Sequence, residues 1–63
     1  MKRYIITYEE KGLHLAYQTD NITEEKCIEL IGLGLNVCIV DTQKQMYRIN
    51  SIGWSKIDNK EHF

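Results

Sequence analysis

Two alternating runs face each other across four residues. In residues 3–8, RYIITY, Tyr4, Ile6 and Tyr8 fall on one side of an extended chain and Arg3, Ile5 and Thr7 on the other. In residues 13–19, LHLAYQT, Leu13, Leu15 and Tyr17 share one side, and His14, Ala16 and Gln18 take the other. The EEKG between them ends in Gly12, which adopts a left-handed conformation without a Cβ penalty, so the pattern predicts a hairpin with a short loop ending in a bulge. A sheet must bury a face against something, so the rest of the chain has to supply cover.

DNITEEKCIELIGLG reads as that cover, a helix with its own punctuation. Thr23 is the expected N-cap, with Glu24 and Glu25 in the first turn, where the helix dipole favours negative charge. Ile22 stands just before the cap and is placed to pack on Cys27 as a hydrophobic staple. Cys27, Leu30 and Ile31 form an inner stripe, widened by Ile28 and Leu33, while Glu25, Lys26 and Glu29 point outward. The helix is expected to stop near Gly32 or Gly34 with a glycine in the left-handed C-terminal position. The GLGLN stretch, residues 32–36, is therefore a helix stop and tight turn. A phosphate-cradling glycine loop runs strand, loop, helix and offers helix N-terminal amides; here the order is helix, loop, strand.

Residues 36–41, NVCIVD, are apolar on both faces, as an inner strand is. DTQK is a polar loop, and QMYRINSIGWSKI returns as a second hairpin arm in which Gly53 predicts a bulge or a break into two short strands. The expected fold is α+β, with element order ββαββ: a mostly antiparallel four- or five-stranded sheet with one helix packed on one face. It forms a single domain over residues 1–57, followed by a polar, fraying tail at 58–63.

Composition narrows the functions. A 63-residue chain buries only about 60% of its unfolded surface, and domains of this size usually lean on disulfides, a metal or a partner subunit. With 43% apolar and 27% charged residues the chain is too apolar for intrinsic disorder, and a net charge of −1 attracts no polyanion in bulk. No apolar run reaches the roughly 18 residues of a membrane span, and the opening MKRYIITYEEKG does not have the pattern of a secretory signal. Two cysteines without such a signal point to a reducing, cytoplasmic setting and free thiols. A chain rich in Ile, Lys, Glu and Asn, with one Ala and no Pro, has the composition of AT-rich bacterial or phage coding sequence.

The reactive residues form no catalytic set. Cys27 and Cys38 lack the CxxC spacing of a metal or redox motif and read as small core residues. His14 is expected at the surface and His62 in the solvated tail, and neither has a serine and an aspartate at triad spacing. Ser51 and Ser55 flank Gly53 and Trp54 without forming a nucleophile elbow. Glu25 and Glu29, one turn apart, read as a solvated helix face. No catalytic residue, cofactor or metal ligand is expected.

The aromatics carry more. Tyr4, Tyr8, Tyr17, Tyr47 and Trp54 all fall on predicted strands. One short helix covers only part of a four-stranded sheet, and an apolar second face needs a cover, most simply a second copy. The resulting expectation is a small non-catalytic protein-interaction module, an inhibitor or adaptor of phage or mobile-element type, acting as a homodimer on another protein. Its partner-binding residues would be Tyr4, Tyr8, Tyr47, Arg48, Ile52 and Trp54, with Met46 beside the Trp54 anchor. The alternative is a single-stranded nucleic-acid binder that stacks bases on the sheet aromatics beside Arg3, Arg48 and Lys56.

Overall fold

The computed structural model describes residues 2–57; the expected polar tail lies outside the described residues. The alternation of the first half folds as written. Strand β1 (Tyr4–Glu10) pairs antiparallel with β2 (Leu13–Thr19) in unbroken register from Tyr4 opposite Thr19 to Glu10 opposite Leu13. The loop is only Lys11 and Gly12, both at positive φ (53° and 81°), the two-residue turn whose twist matches a hairpin. The expected bulge at Gly12 is therefore absent, because Lys11 takes the first left-handed position itself.

Helix α1 (Glu24–Leu33) follows, capped as expected: the Thr23 hydroxyl accepts from the Lys26 N–H at 3.1 Å. Strand β3 (Leu35–Asp41) begins almost at once and lies antiparallel to β1, so the helix carries the chain over the sheet and back beside its first strand. Strands β4 (Met46–Arg48) and β5 (Ser55–Lys56) complete a five-stranded antiparallel sheet in the order β2-β1-β3-β4-β5. The second arm does break into two short strands around Gly53.

The junction between α1 and β3 differs from expectation in an informative way. The helix stops at Gly34, whose N–H donates to the Leu30 carbonyl at 2.9 Å, but Gly34 is extended (φ −95°, ψ 171°) and not left-handed. Its lack of a side chain serves contact instead. A Cβ there would stand 2.5 Å from Cγ2 of Val37 and 3.2 Å from the Leu30 carbonyl oxygen. The left-handed residue of GLGLN is Asn36 (φ 50°), at a bulge where the β1–β3 register shifts between Thr7 and Glu9. Asparagine is one of the few non-glycine residues that visit this region readily.

Register sorts the side chains. Tyr4, Ile6 and Tyr8 share the helix side with Leu15, Tyr17, Val37, Ile39 and Arg48. The buried apolar core is Ile6, Cys27, Val37 and Ile39, with Tyr4, Tyr8, Ile22, Leu30, Ile31 and Trp54 packed around it. Ile28 and Leu33, expected to widen the inner stripe, are exposed instead. Each lies about 100° round the helix from the Cys27–Leu30–Ile31 line, and α1 is packed over β3, so neither reaches the sheet.

Candidate functional site

The two ends of α1 are held differently. At its N-terminal end the ties are ionic. The Arg48 guanidinium is 1% exposed, and Nη1 donates to the Glu24 carboxylate. Nε donates to the Asn50 carbonyl at 2.9 Å and Nη2 to that of Ser51 at 3.1 Å. The hydrogen bond from Arg48 draws the Glu24 carboxyl below the usual carboxylate range, and the same bond raises Arg48. Beside it, Arg3 makes a two-pronged contact with Asp41, from Nε at 3.0 Å and Nη2 at 2.9 Å, while the Gln43 and Lys44 amides donate to Asp41 Oδ1. The Arg3 bonds lead in lowering the Asp41 pKa to about 2. The Arg3 guanidinium also lies 5.0 Å from the Tyr4 ring centre, and Tyr4 meets Trp54 at a tilted 6.4 Å.

At the C-terminal end the ties are apolar and incomplete. A groove of about 320 Å³ opens between α1 and the β1–β2 hairpin, lined by Ile6, Tyr8, Tyr17, Leu30, Leu33 and Val37, with Glu9 and Glu10 at its rim. Tyr8 and Tyr17 meet edge to face at 6.4 Å on its floor. Of its lining, Leu33 is 80% exposed and Tyr17 40%, while Leu13 and Leu35, at the starts of β2 and β3, are each 63% exposed. Among the described residues, no helix lies on the far side of the sheet. Ile5, Val40 and Tyr47 lie side by side across it with Cys38 beside them, all half-buried against one another, and Gln18, Thr7, His14 and Ser55 surround them.

The structure thus divides the six residues expected to meet a partner. Tyr47 lies on the open far face, and Ile52 projects from the β4–β5 loop, 91% exposed. Tyr4, Tyr8 and Trp54 are half-buried against the core on the helix side. Arg48 is withdrawn altogether: its alternation with Tyr47 turns it inward, and its guanidinium donates to Glu24, Asn50 and Ser51. Sequence reasoning missed the groove around Tyr17 and Leu33. The signal was available in Leu33, an apolar residue at the helix stop that lies off the Cys27–Leu30–Ile31 line.

The thiols sit on opposite sides of the sheet, Cys27 in the core beneath α1 and Cys38 on the far face, so neither can reach the other. Burial pushes both above the ordinary thiol value, against the direction a reactive thiolate needs. His14 stands 3.6 Å from Glu9 at the surface, and Lys26 the same distance from Glu29. Among the described residues, no three His, Cys, Asp or Glu side chains gather as a metal set, and no helix is long and apolar enough to cross a membrane. No family model matches the chain, and neither a curated protein nor a solved structure matches it.

Proposed function

We propose that this chain is a small non-catalytic protein-interaction module, an inhibitor or adaptor, that works as a homodimer and acts on another protein. The observation that carries the reading is the mismatch between one ten-residue helix and a five-stranded sheet: α1 packs over β3 and leaves Tyr17 and Leu33 exposed on one apolar groove, with Leu13 and Leu35 exposed at the starts of β2 and β3. Contiguous apolar surface on so small a domain is characteristic of an interaction site. Tyr47, Ile52 and Trp54 remain the expected contacts for a target. Sedimentation equilibrium from micromolar to about millimolar concentration tests the working form; a single species at the 7.4 kDa chain mass throughout would refute it.

The single-stranded nucleic-acid reading loses its main cation to the interior, and Arg3 is engaged with Asp41. Titration of labelled oligonucleotides at low and high salt is expected to show no submicromolar, salt-sensitive binding.

A further inference from the structure

The two edges of the sheet are unlike. One is β5, two residues long and ending in Lys56. The other is β2, seven residues from Leu13 to Thr19 with no charged residue, no proline and no break in its register with β1. Soluble proteins blunt a long flat edge with charge, proline, a bulge, shortness or a cover. Strand β2 has none of the first four, and no described strand pairs with its outer side.

The ladder shows which backbone groups that edge leaves open. The Arg3 carbonyl accepts from the Thr42 N–H at 2.9 Å, so odd-numbered residues of β1 turn their N–H and C=O toward β3 and even-numbered ones toward β2. The bonded pairs of the first hairpin are then Tyr4–Thr19, Ile6–Tyr17, Tyr8–Leu15 and Glu10–Leu13, the last closing the Lys11–Gly12 turn. His14, Ala16 and Gln18 consequently point N–H and C=O away from the molecule.

We propose that this edge is the seam of a symmetric homodimer, in which β2 pairs antiparallel with β2 of a second copy and Ala16 faces its own counterpart across the two-fold axis. The inference rests on the homodimer reading above and assigns its contact. Of the possible registers, this one overlaps all seven residues and gives every outward amide and carbonyl a partner: His14 with the second copy's Gln18, Ala16 with its Ala16, Gln18 with its His14. On the helix side it sets Leu15 beside the second copy's Tyr17, covering apolar surface that the helix leaves open. A formal charge meets a like charge nowhere along the strand, and the smallest side chain of the strand sits on the axis. The two sheets join into one of ten strands, and the short β5 edges at its ends favour closure at two copies.

Hydrogen exchange followed by NMR, alongside sedimentation, tests the seam. A strand-pairing interface this small is expected to dissociate at roughly 10 µM. The His14, Ala16 and Gln18 amides should therefore exchange about sevenfold more slowly at ~1 mM protein than at ~10 µM, while those of Leu15 and Tyr17 stay protected at both. A dimer whose His14, Ala16 and Gln18 amides remain unprotected overturns the β2 seam and leaves the homodimer reading standing; a monomer at every concentration overturns both. Ala16→Lys places two ammonium groups opposite each other on neighbouring strands, about 5.5 Å apart between Cα atoms. It is expected to yield a monomer with the wild-type circular dichroism spectrum, and a variant that still dimerises overturns the inference.

Discussion

Two glycines in one short stretch should respond to the same substitution with opposite signs. Gly34 is extended, so an alanine there meets no backbone strain; what it meets is Cγ2 of Val37 at 2.5 Å. Val37 is buried, β-branched and stiff at χ1, so its methyl cannot rotate away freely. Overpacking of this kind costs about 1–3 kcal/mol. For a domain of this size each kcal/mol moves the melting temperature by roughly 4–8 °C, so Gly34→Ala should melt about 10 °C lower. Gly32 lies in the last turn of α1, exposed, with nothing within 4 Å of a Cβ. Gly32→Ala should stabilise by about 0.5–1 kcal/mol, the ordinary helix gain. Thermal and urea unfolding at one fixed protein concentration measure both, since a dimer's melting point depends on concentration. The decisive arm is the double variant. Val37→Ala costs about 2 kcal/mol alone, but it removes the methyl that the side chain introduced by Gly34→Ala would strike, so in combination the losses should fall short of additive by about 1 kcal/mol or more. Additive losses, or a Gly34→Ala protein as stable as wild type, would refute the close-contact account of this helix stop.

Acid should weaken the fold through Asp41. Its folded pKa is lowered to about 2 against 3.8 for the free side chain, so its contribution is present above pH ~4 and is lost as pH falls toward 2; Asp41→Asn should flatten that part of a stability–pH curve. Arg48→Met should destabilise by about 2–3 kcal/mol in urea unfolding, because the Asn50 and Ser51 carbonyls lose a charged donor, and it should leave oligonucleotide titrations unchanged. A disulfide-exchange reagent should label Cys38 slowly in the native protein and Cys27 only on unfolding. Oxidation should yield no Cys27–Cys38 disulfide by mass spectrometry.

What could be read from the sequence was whatever is decided locally. The first hairpin follows from two runs of period two, and the start of α1 from Thr23 with two following glutamates. The bulge expected at Gly12 failed locally, since Lys11 itself takes a left-handed conformation; the other misreadings turned on how the chain folds back on itself. Gly34 looks like any glycine that ends a helix left-handed; that it is extended, with Asn36 taking the positive φ instead, depends on how tightly β3 folds back against the last helical turn. Ile28 and Leu33 belong to a helical stripe by spacing, but how wide a stripe is buried depends on which strand the helix lies over. Arg48 reads as a surface cation because an isolated strand does not reveal that two carbonyls, of Asn50 and Ser51, turn back to satisfy it. The far face was legible in composition only: both faces of NVCIVD are apolar, and the sheet does present Ile5, Val40, Cys38 and Tyr47 there.

The choice between that far face and the β2 edge as the place where a second copy belongs turns on what each leaves unsatisfied. On the far face the apolar side chains are already half-buried by cross-strand neighbours, and their backbone groups are paired within the sheet. Adding a layer there would gain only the remaining apolar area. At β2 two deficits coincide. Three residues direct unpaired amides and carbonyls outward, and the same strand carries Tyr17 exposed on the groove that α1 fails to close. A paired strand would supply hydrogen bonds to the first and apolar contact to the second in one step. At the other end of α1, Arg48 to Glu24 ties the first helical turn to β4, on the side of the sheet away from β2, while Arg3 to Asp41 ties the residue before β1 to the end of β3. The contact that anchors α1 toward β4 thus also leaves the first hairpin uncovered for a partner.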